Sequence, residues 1–249
     1  MSLDYVASVQ SDSDRILKAL ESAPDAPIPW CGDWTVKDCA HHVGGLHHIV
    51  AKVIEGRPTA TFGLFKSLDP PTATDPGLAQ WISEGTAALV EQLQQTPPDE
   101  PCWTFWAPVP TVAFWLRRTA HETMVHRWDI ERAAGVTIVP HDPALAADGV
   151  DEYLDVFVDL ARRGNSTPGA GETAHVHCTD TTGEWFLEFP ASGQRTLRRE
   201  HAKGDVAFRG PAEGLLLFLW GHESADDAGV ETIGDASLAQ RWRELVPAI

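Results

Sequence analysis

Proline and glycine breaks divide the first half of the chain into four segments, each with apolar residues at helical spacing. Proline fixes φ and removes a backbone donor, so a regular helix does not continue through it. The breaks are Pro24–Pro29, a Thr- and Pro-rich loop over 57–74, Pro97–Pro101 and Gly135. The segments between them predict helices over about 4–22, 36–55, 76–95 and 112–134. Four such helices predict a four-helix bundle.

The pattern changes after Gly135, where alternating segments join the helical ones. Asp142-Pro143 is typical of a helix start and predicts a helix over 142–163. Further elements are predicted as a hairpin of 175–179 and 185–189, strands at 195–201, 205–209 and 230–233, and helices at 211–220 and 236–245. The sequence therefore predicts an α+β two-domain chain, with a helical domain over 1–138 and a small, mostly antiparallel α+β domain over 139–249.

Charge and cysteine content limit the partners and the compartment. The net charge of −17 argues against nucleic acid and anionic membrane surfaces, which attract basic proteins. The four cysteines are scattered without a C-x-x-C pair, which is typical of reduced structural thiols. The N-terminus lacks a signal-peptide pattern, and the run Leu215–Trp220 is too short to span a bilayer. We expect a cytoplasmic monomer or homodimer with small-molecule partners, and neither nucleic acid nor membrane among them.

The fourth predicted helix carries a pair of potential metal ligands. Glu122 and His126 are four residues apart, so their side chains lie one above the other on one helical face. A carboxylate and an imidazole placed in this way can bind one divalent cation. The third ligand must come from elsewhere, and His42 and His47 on the second predicted helix are both candidates. The resulting two nitrogens and one oxygen suit zinc, and also nickel, cobalt or iron(II).

Three protein ligands leave one coordination position for water or substrate, as in catalytic sites. Asp129 or Asp38 would accept the second N–H of a ligand histidine and fix its tautomer. The same residues also allow ordinary structural roles. Arg118, Glu122 and His126 have the spacing of helical ion pairs, His47 has the position of a core histidine, and Asp129 can pair with Arg127 or Arg132. His41 and His48 are expected to point towards solvent.

Two segments, Trp34–Val43 and His121–Asp129, resemble the mycothiol-dependent maleylpyruvate isomerase family. The second half is similar as well, in its Asp180–Trp185 turn, its Gly210–Gly221 segment and the Gly-Asp pair before the last helix. The resemblance implies a DinB-like metal-binding bundle followed by a sterol-carrier-like α+β domain. It also implies metal ligands at His42, Glu122 and His126, with Asp129 beside them.

The implied activity is that of an isomerase or S-transferase, in which a divalent metal, zinc or else nickel, activates mycothiol to attack a small electrophile. One position departs from the family pattern: His222 follows Gly221, where the characterised isomerases carry an active-site arginine. Asp129 and His222 are therefore the predicted catalytic residues beside the metal, and Arg117 or Arg118 is a candidate for holding a substrate carboxylate. The alternatives are a non-catalytic metal-binding scaffold or binding protein, and a metal-dependent hydrolase.

Overall fold

A computed structural model describes residues 3–56, 70–106, 108–165, 169–192 and 194–246. The chain divides into two compact units, residues 1–139 and 140–249. Most of the predicted loop over 57–74 lies outside the described residues. Among the residues described, none of the helices combines the length and the apolar character needed to cross a bilayer.

The N-terminal unit contains the four predicted helices. They are α1 (Tyr5–Ser22), α2 (Val36–Gly56), α3 (Leu78–Gln95) and α4 (Val112–Ala134). Helix α2 packs against α3 and α4, and α1 packs against α4 and α3. Their apolar stripes meet in a core that includes the fully buried Ile16, Val43, Ile82 and Ile130. The helices observed agree with the prediction of a helical bundle.

The first connection, between α1 and α2, carries two tryptophans to the start of α2. Its two ends form a β-bridge between Pro27 and Thr35. The N–H of Ile28 also donates to the carbonyl oxygen of Trp34 at 2.8 Å. The Asp38 carboxylate then accepts the N–H of Thr35 at 2.9 Å, which is one half of a capping box. This tight connection fixes Trp30 and Trp34 next to the first turns of α2.

Buried ion pairs join α1 to α4. Arg127, only 2% exposed, places Nη1 2.7 Å from Glu131 Oε2 and Nε 2.9 Å from Asp12 Oδ1. Arg15 reaches the other oxygen of Glu131 at 2.5 Å. Arg127 therefore pairs with Asp12 and Glu131, whereas the sequence had left a pairing with Asp129 open.

The C-terminal unit begins with a helical segment that differs from the predicted single helix over 142–163. It consists of α5 (Pro143–Glu152), a π-helical turn (Tyr153–Phe157) and α6 (Val158–Asn165). Asp142 caps α5 with its side chain, as Asp-Pro predicts. A π turn holds one extra residue without ending the helix, so apolar periodicity alone does not reveal it.

A five-stranded sheet completes this unit, with α7 (Ala212–Trp220), α8 (Ala236–Gln240) and α9 (Trp242–Leu245). The strands are β1 (Glu172–Cys178), β2 (Glu184–Phe189), β3 (Thr196–Arg198), β4 (Val206–Gly210) and β5 (Glu231–Gly234). Their order is β3-β2-β1-β4-β5. Only the β1–β4 pairing is parallel, so the sheet is mostly antiparallel as predicted. The predicted last helix is divided into α8 and α9.

Candidate metal centre

Helices α2 and α4 bring together the three predicted metal ligands. His42 Nε2 lies 2.9 Å from Glu122 Oε1, and His126 Nε2 lies 3.3 Å from the same oxygen. One ligand atom from each of the three residues lies within 4.8 Å of the other two. The side chains are 39%, 19% and 14% exposed for His42, Glu122 and His126, so the cluster is half-buried and open on the His42 side.

The spacing of these atoms fits one divalent cation. Zinc–nitrogen and zinc–oxygen bonds of about 2.0–2.2 Å at tetrahedral angles separate ligand atoms by about 3.3–3.6 Å. The His126–Glu122 separation of 3.3 Å falls in that range, and the His42–Glu122 separation of 2.9 Å is slightly shorter. Two imidazoles and one carboxylate are a donor set that binds zinc or nickel. Because three protein ligands meet here among the residues that the structure describes, a tetrahedral cation would keep a fourth position for a water or a thiol.

Asp129 lies directly behind His126 and is fully buried. Its Oδ2 is 2.9 Å from His126 Nδ1, and its Oδ1 accepts the indole N–H of Trp30 at 2.6 Å. A carboxylate can only accept here, so His126 donates from Nδ1 and its Nε2 lone pair is directed to the cluster when the ring is neutral. Asp129 therefore occupies the position predicted for a group that fixes the tautomer of a ligand histidine.

The charges around the cluster keep Glu122 ionised. Burial alone would raise the pKa of Glu122, but the Arg118 guanidinium and hydrogen bonds from His126 and His42 hold it well below its usual value. Arg118 is 3% exposed, and its Nη2 is 2.5 Å from Glu122 Oε2. This guanidinium thus holds one carboxylate oxygen while the other faces the histidines. The Glu122 carboxylate therefore takes part in both predicted arrangements. Its Oε2 pairs with Arg118, and its Oε1 faces His42 and His126.

His126 is held in an environment that stabilises positive charge. Burial disfavours its imidazolium form, but hydrogen bonds to the Asp129 carboxylate, the Cys39 sulfur and the Glu122 carboxylate together raise the pKa of His126 well above its usual value. A divalent cation on Nε2 would replace that proton with a charge of the same sign. The electrostatic environment of His126 is therefore compatible with a bound cation.

A second group around His126, formed with Cys39 and Asp129, also has ligand atoms within 4.8 Å of one another. Cys39 and Asp129 are both fully buried, in contrast to the half-buried His42 and Glu122. Burial raises the pKa of Cys39, so its thiol stays protonated at neutral pH. Asp129 also accepts a hydrogen bond from Trp30. Cys39 and Asp129 therefore support the His126 ring from the buried side, and the opposite side of the ring faces His42 and Glu122.

Sequence reasoning did not identify the aromatic wall of the cluster. The Trp34 ring centroid lies 5.0 Å from that of His42 and 6.2 Å from that of His126. The ring centroids of Trp30 and Trp128 are 5.6 Å apart, and the indole N–H of Trp30 donates to Asp129. Both tryptophans lie shortly before α2, and Trp34 belongs to the segment that carries the family resemblance, which is the signal that could have identified them.

The remaining histidines of α2 have structural positions. His47 is fully buried, with Nδ1 3.1 Å from Thr86 Oγ1 and Nε2 2.9 Å from Thr123 Oγ1. Both ring nitrogens are therefore used in the core, and His47 does not join Glu122. His41 and His48 were expected to point towards solvent, but both stack on Trp81 of α3 with centroids 5.2 and 4.6 Å away. Their exposure was overestimated because α2 packs closely along α3.

The other predicted residues are Asp38 and Arg117 of the N-terminal unit and His222 of the C-terminal unit. Asp38 hydrogen-bonds Thr35 at the start of α2, so its place is in the cap. Arg117 is half-buried on α4. His222 belongs to the C-terminal unit, directly after Gly221, whose left-handed conformation ends α7. A catalytic role for His222 stays a prediction.

Comparison with known proteins gives matches along both units. The model of the mycothiol maleylpyruvate isomerase N-terminal domain matches residues 6–131, and that of the MDMPI C-terminal domain matches residues 144–241. No curated protein sequence matches the chain significantly.

A solved structure has the same fold. The crystal structure of a histidine-to-alanine mutant of the mycothiol-dependent maleylpyruvate isomerase aligns with a TM-score of 0.64 at 12% identity. The alignment covers 92% of this chain and 91% of that one, which supports the α+β two-unit architecture over nearly the whole length. Because the two family models together extend over most of the sequence, the chain belongs to the mycothiol maleylpyruvate isomerase family.

Proposed function

We propose that this protein is a metal-dependent enzyme of isomerase or S-transferase type that uses mycothiol against a small electrophilic substrate. The observation that carries the proposal is the cluster of His42 Nε2, Glu122 Oε1 and His126 Nε2, which is half-buried, open on one side and supported by Asp129 from behind. Membership of a family named for a mycothiol isomerase supports the choice of thiol.

His42, Glu122 and His126 would hold one divalent cation, zinc or else nickel. Such a cation lowers the pKa of a thiol bound to it and so supplies a thiolate nucleophile near neutral pH. The chain's own residues prepare the ligands for this. Asp129 and Trp30 hold the His126 ring, and Arg118 fixes the rotamer of Glu122 by occupying its second oxygen. The ligands are therefore positioned before the cation binds, which is what a catalytic site requires.

Arg118 is used in this scheme as a positioning residue. Its guanidinium is buried against Glu122, so it is poorly placed to serve as the substrate-carboxylate clamp that the sequence allowed. His222 remains in the proposal on the resemblance alone. An imidazole lacks the permanent, two-pronged charge of arginine, so the preferred electrophile is expected to differ from maleylpyruvate.

The test combines metal analysis with a mycothiol-consumption assay over a panel of electrophiles that includes maleylpyruvate. His42→Ala should lower thiol-dependent turnover by at least 100-fold and weaken metal binding at the triad. His41→Ala is the matched control, because His41 is the adjacent histidine and stacks on Trp81 instead of facing Glu122. Equal turnover in both variants would refute the proposal.

The same assay separates the alternative functions. Metal binding without turnover of any electrophile would indicate a scaffold or binding protein. Turnover of an ester or amide without added thiol would indicate a metal-dependent hydrolase. Adding mycothiol to the metal-loaded protein should also raise its melting temperature if the thiol binds as proposed.

A further inference from the structure

Four side chains of the C-terminal unit meet on one face of its sheet. His175 and His177 are two residues apart on β1, so their side chains lie on the same face of the strand. Glu184 of β2 is paired directly with His177 in the antiparallel register. His201 follows β3 in the chain and reaches the same carboxylate.

The three imidazoles converge on Glu184. His177 Nδ1 lies 2.8 Å from Oε1, His201 Nδ1 lies 2.6 Å from Oε2, and His175 Nε2 lies 3.4 Å from Oε2. One ligand atom from each residue lies within 4.8 Å of the other three. The ring centroids of His175 and His201 are 5.0 Å apart, so the rings surround the carboxylate instead of stacking in a row.

Two of these ring nitrogens are buried and lie close to the carboxylate without forming a well-aligned hydrogen bond. His175 Nε2 and His177 Nδ1 are 3.4 and 2.8 Å from Glu184 oxygens, yet neither makes a hydrogen bond of regular geometry within the part of the chain that the structure describes. The His175 side chain is only 9% exposed. Buried polar atoms are normally paired, and an exception calls for a missing water or ion.

We propose that His175, His177, Glu184 and His201 form a second divalent transition-metal site. Three imidazole nitrogens and one carboxylate oxygen are a tetrahedral donor set for zinc, and they also bind nickel, cobalt or copper. The Glu184 carboxylate supplies the negative charge of this donor set, so a cation would be attracted to it. Arg209 is opposite His177 on β4, and its Nη1 lies 3.4 Å from Glu231, so this guanidinium already has a carboxylate partner.

The proposed site differs in kind from the triad of the N-terminal unit. Four protein ligands close a tetrahedral zinc site, whereas three leave a position for substrate. The cation would join the loop that carries His201 to β1 and β2 through His201, whose side chain is 77% exposed. The same loop is also held to β1 by hydrogen bonds between Asp205 and Thr173. The site is therefore proposed to stabilise the C-terminal unit.

The test uses the full-length protein carrying His42→Ala, so that the triad contributes least. Zn²⁺ is titrated with a competing chromophoric chelator, and Co²⁺ is added separately to follow the visible absorption of tetrahedral cobalt. We expect one equivalent of metal and a rise in melting temperature on adding Zn²⁺. In the His42→Ala background, the further substitution Glu184→Gln should weaken the Zn²⁺ affinity by at least tenfold. Loss of a group that only orients a metal ligand already weakens metal affinity by about 10–100-fold.

Two further variants keep the result interpretable. His201→Ala changes a mostly exposed side chain and should weaken binding similarly while leaving the fold intact. Glu188→Gln is the matched control, because Glu188 is also on β2, four residues from Glu184, and is paired with Thr173 instead of a histidine. The proposal is overturned if the His42→Ala protein binds no metal. It is also overturned if Glu184→Gln and Glu188→Gln give the same affinity.

The readout is metal affinity and melting temperature, not turnover. If the protein with His42 intact shows no thiol-dependent turnover, while the His42→Ala protein loses metal affinity on Glu184→Gln, the result would support this site and refute the proposed function. If the protein turns over electrophiles with mycothiol but its metal affinity is unchanged by Glu184→Gln, the proposed function is supported and this second site is refuted.

Discussion

Asp129 Oδ2 accepts a hydrogen bond from Nδ1 of His126 at 2.9 Å, three residues away on the same helix. The contact decides which nitrogen of His126 is available to a cation, because a carboxylate acceptor requires the proton to reside on Nδ1. The second oxygen of Asp129 accepts from Trp30 and is thereby held in place. Sequence spacing predicts this pair, but the anchor on Trp30 comes from a different part of the chain.

Replacing Asp129 by Asn should weaken metal binding at the triad by about 10–100-fold. The amide nearly preserves the size of the side chain but removes the negative charge that stabilises the Nδ1 proton. Metal affinity is measured by chelator competition, with circular dichroism to show that the helices are intact. Trp30→Phe is the companion variant and should give a smaller loss, because it removes only the hydrogen bond that holds Asp129. An unchanged affinity in Asp129→Asn would contradict the assigned role.

His47 should make the N-terminal unit sensitive to acid. Burial, and then the charge of the neighbouring His48, lower the pKa of His47 from 6.5 to about 3. The unfolded chain therefore binds a proton more readily than the folded one. The stability from neutral His47 is fully present above about pH 6.5 and is lost as the pH falls towards 3, at up to about 1.4 kcal/mol per pH unit.

The measurement is the free energy of urea unfolding at several pH values between 7 and 4. His47→Gln does not titrate in this window and can hydrogen-bond to Thr86 or Thr123, so its stability should fall less steeply with acidification. Stability at pH 8 shows separately what the substitution does to packing. Parallel pH profiles for the two proteins would rule out His47 as the source of the acid sensitivity.

The helices were predictable because their signals are local. Apolar spacing marks the buried faces, and the proline breaks mark the ends, so α1, α2, α3 and α4 lie close to the predicted ranges. The parallel pairing of β1 with β4 was not predictable, because it joins strands separated by β2 and β3 in the chain. The π turn at Tyr153–Phe157 was missed for a different reason, since a single extra residue leaves the helical pattern of apolar residues nearly unchanged.

The candidate site shows the same division between local and tertiary information. The i, i+4 spacing of Glu122 and His126 fixes their common face, but periodicity left His42 and His47 as alternatives for the third position. The more central of the two, His47, lies in the core, and His42 on the edge of the apolar stripe reaches Glu122. A helix residue that faces a half-buried cluster, as His42 does, must lie near the border between the buried and exposed faces of its helix. The packing of α2 against α4 decides where that border is.

Arg127→Leu should destabilise the N-terminal unit by about 3–5 kcal/mol, because it leaves the buried carboxylates of Asp12 and Glu131 without their common partner. Glu131 would keep Arg15, whereas Asp12 would lose its guanidinium contact. Urea unfolding followed by circular dichroism measures the change. Lys37→Met is the control in the same unit, because the Lys37–Asp25 pair is exposed and its loss should change stability little. If the two variants were equally stable, the Arg127 pairs would not be what joins α1 to α4.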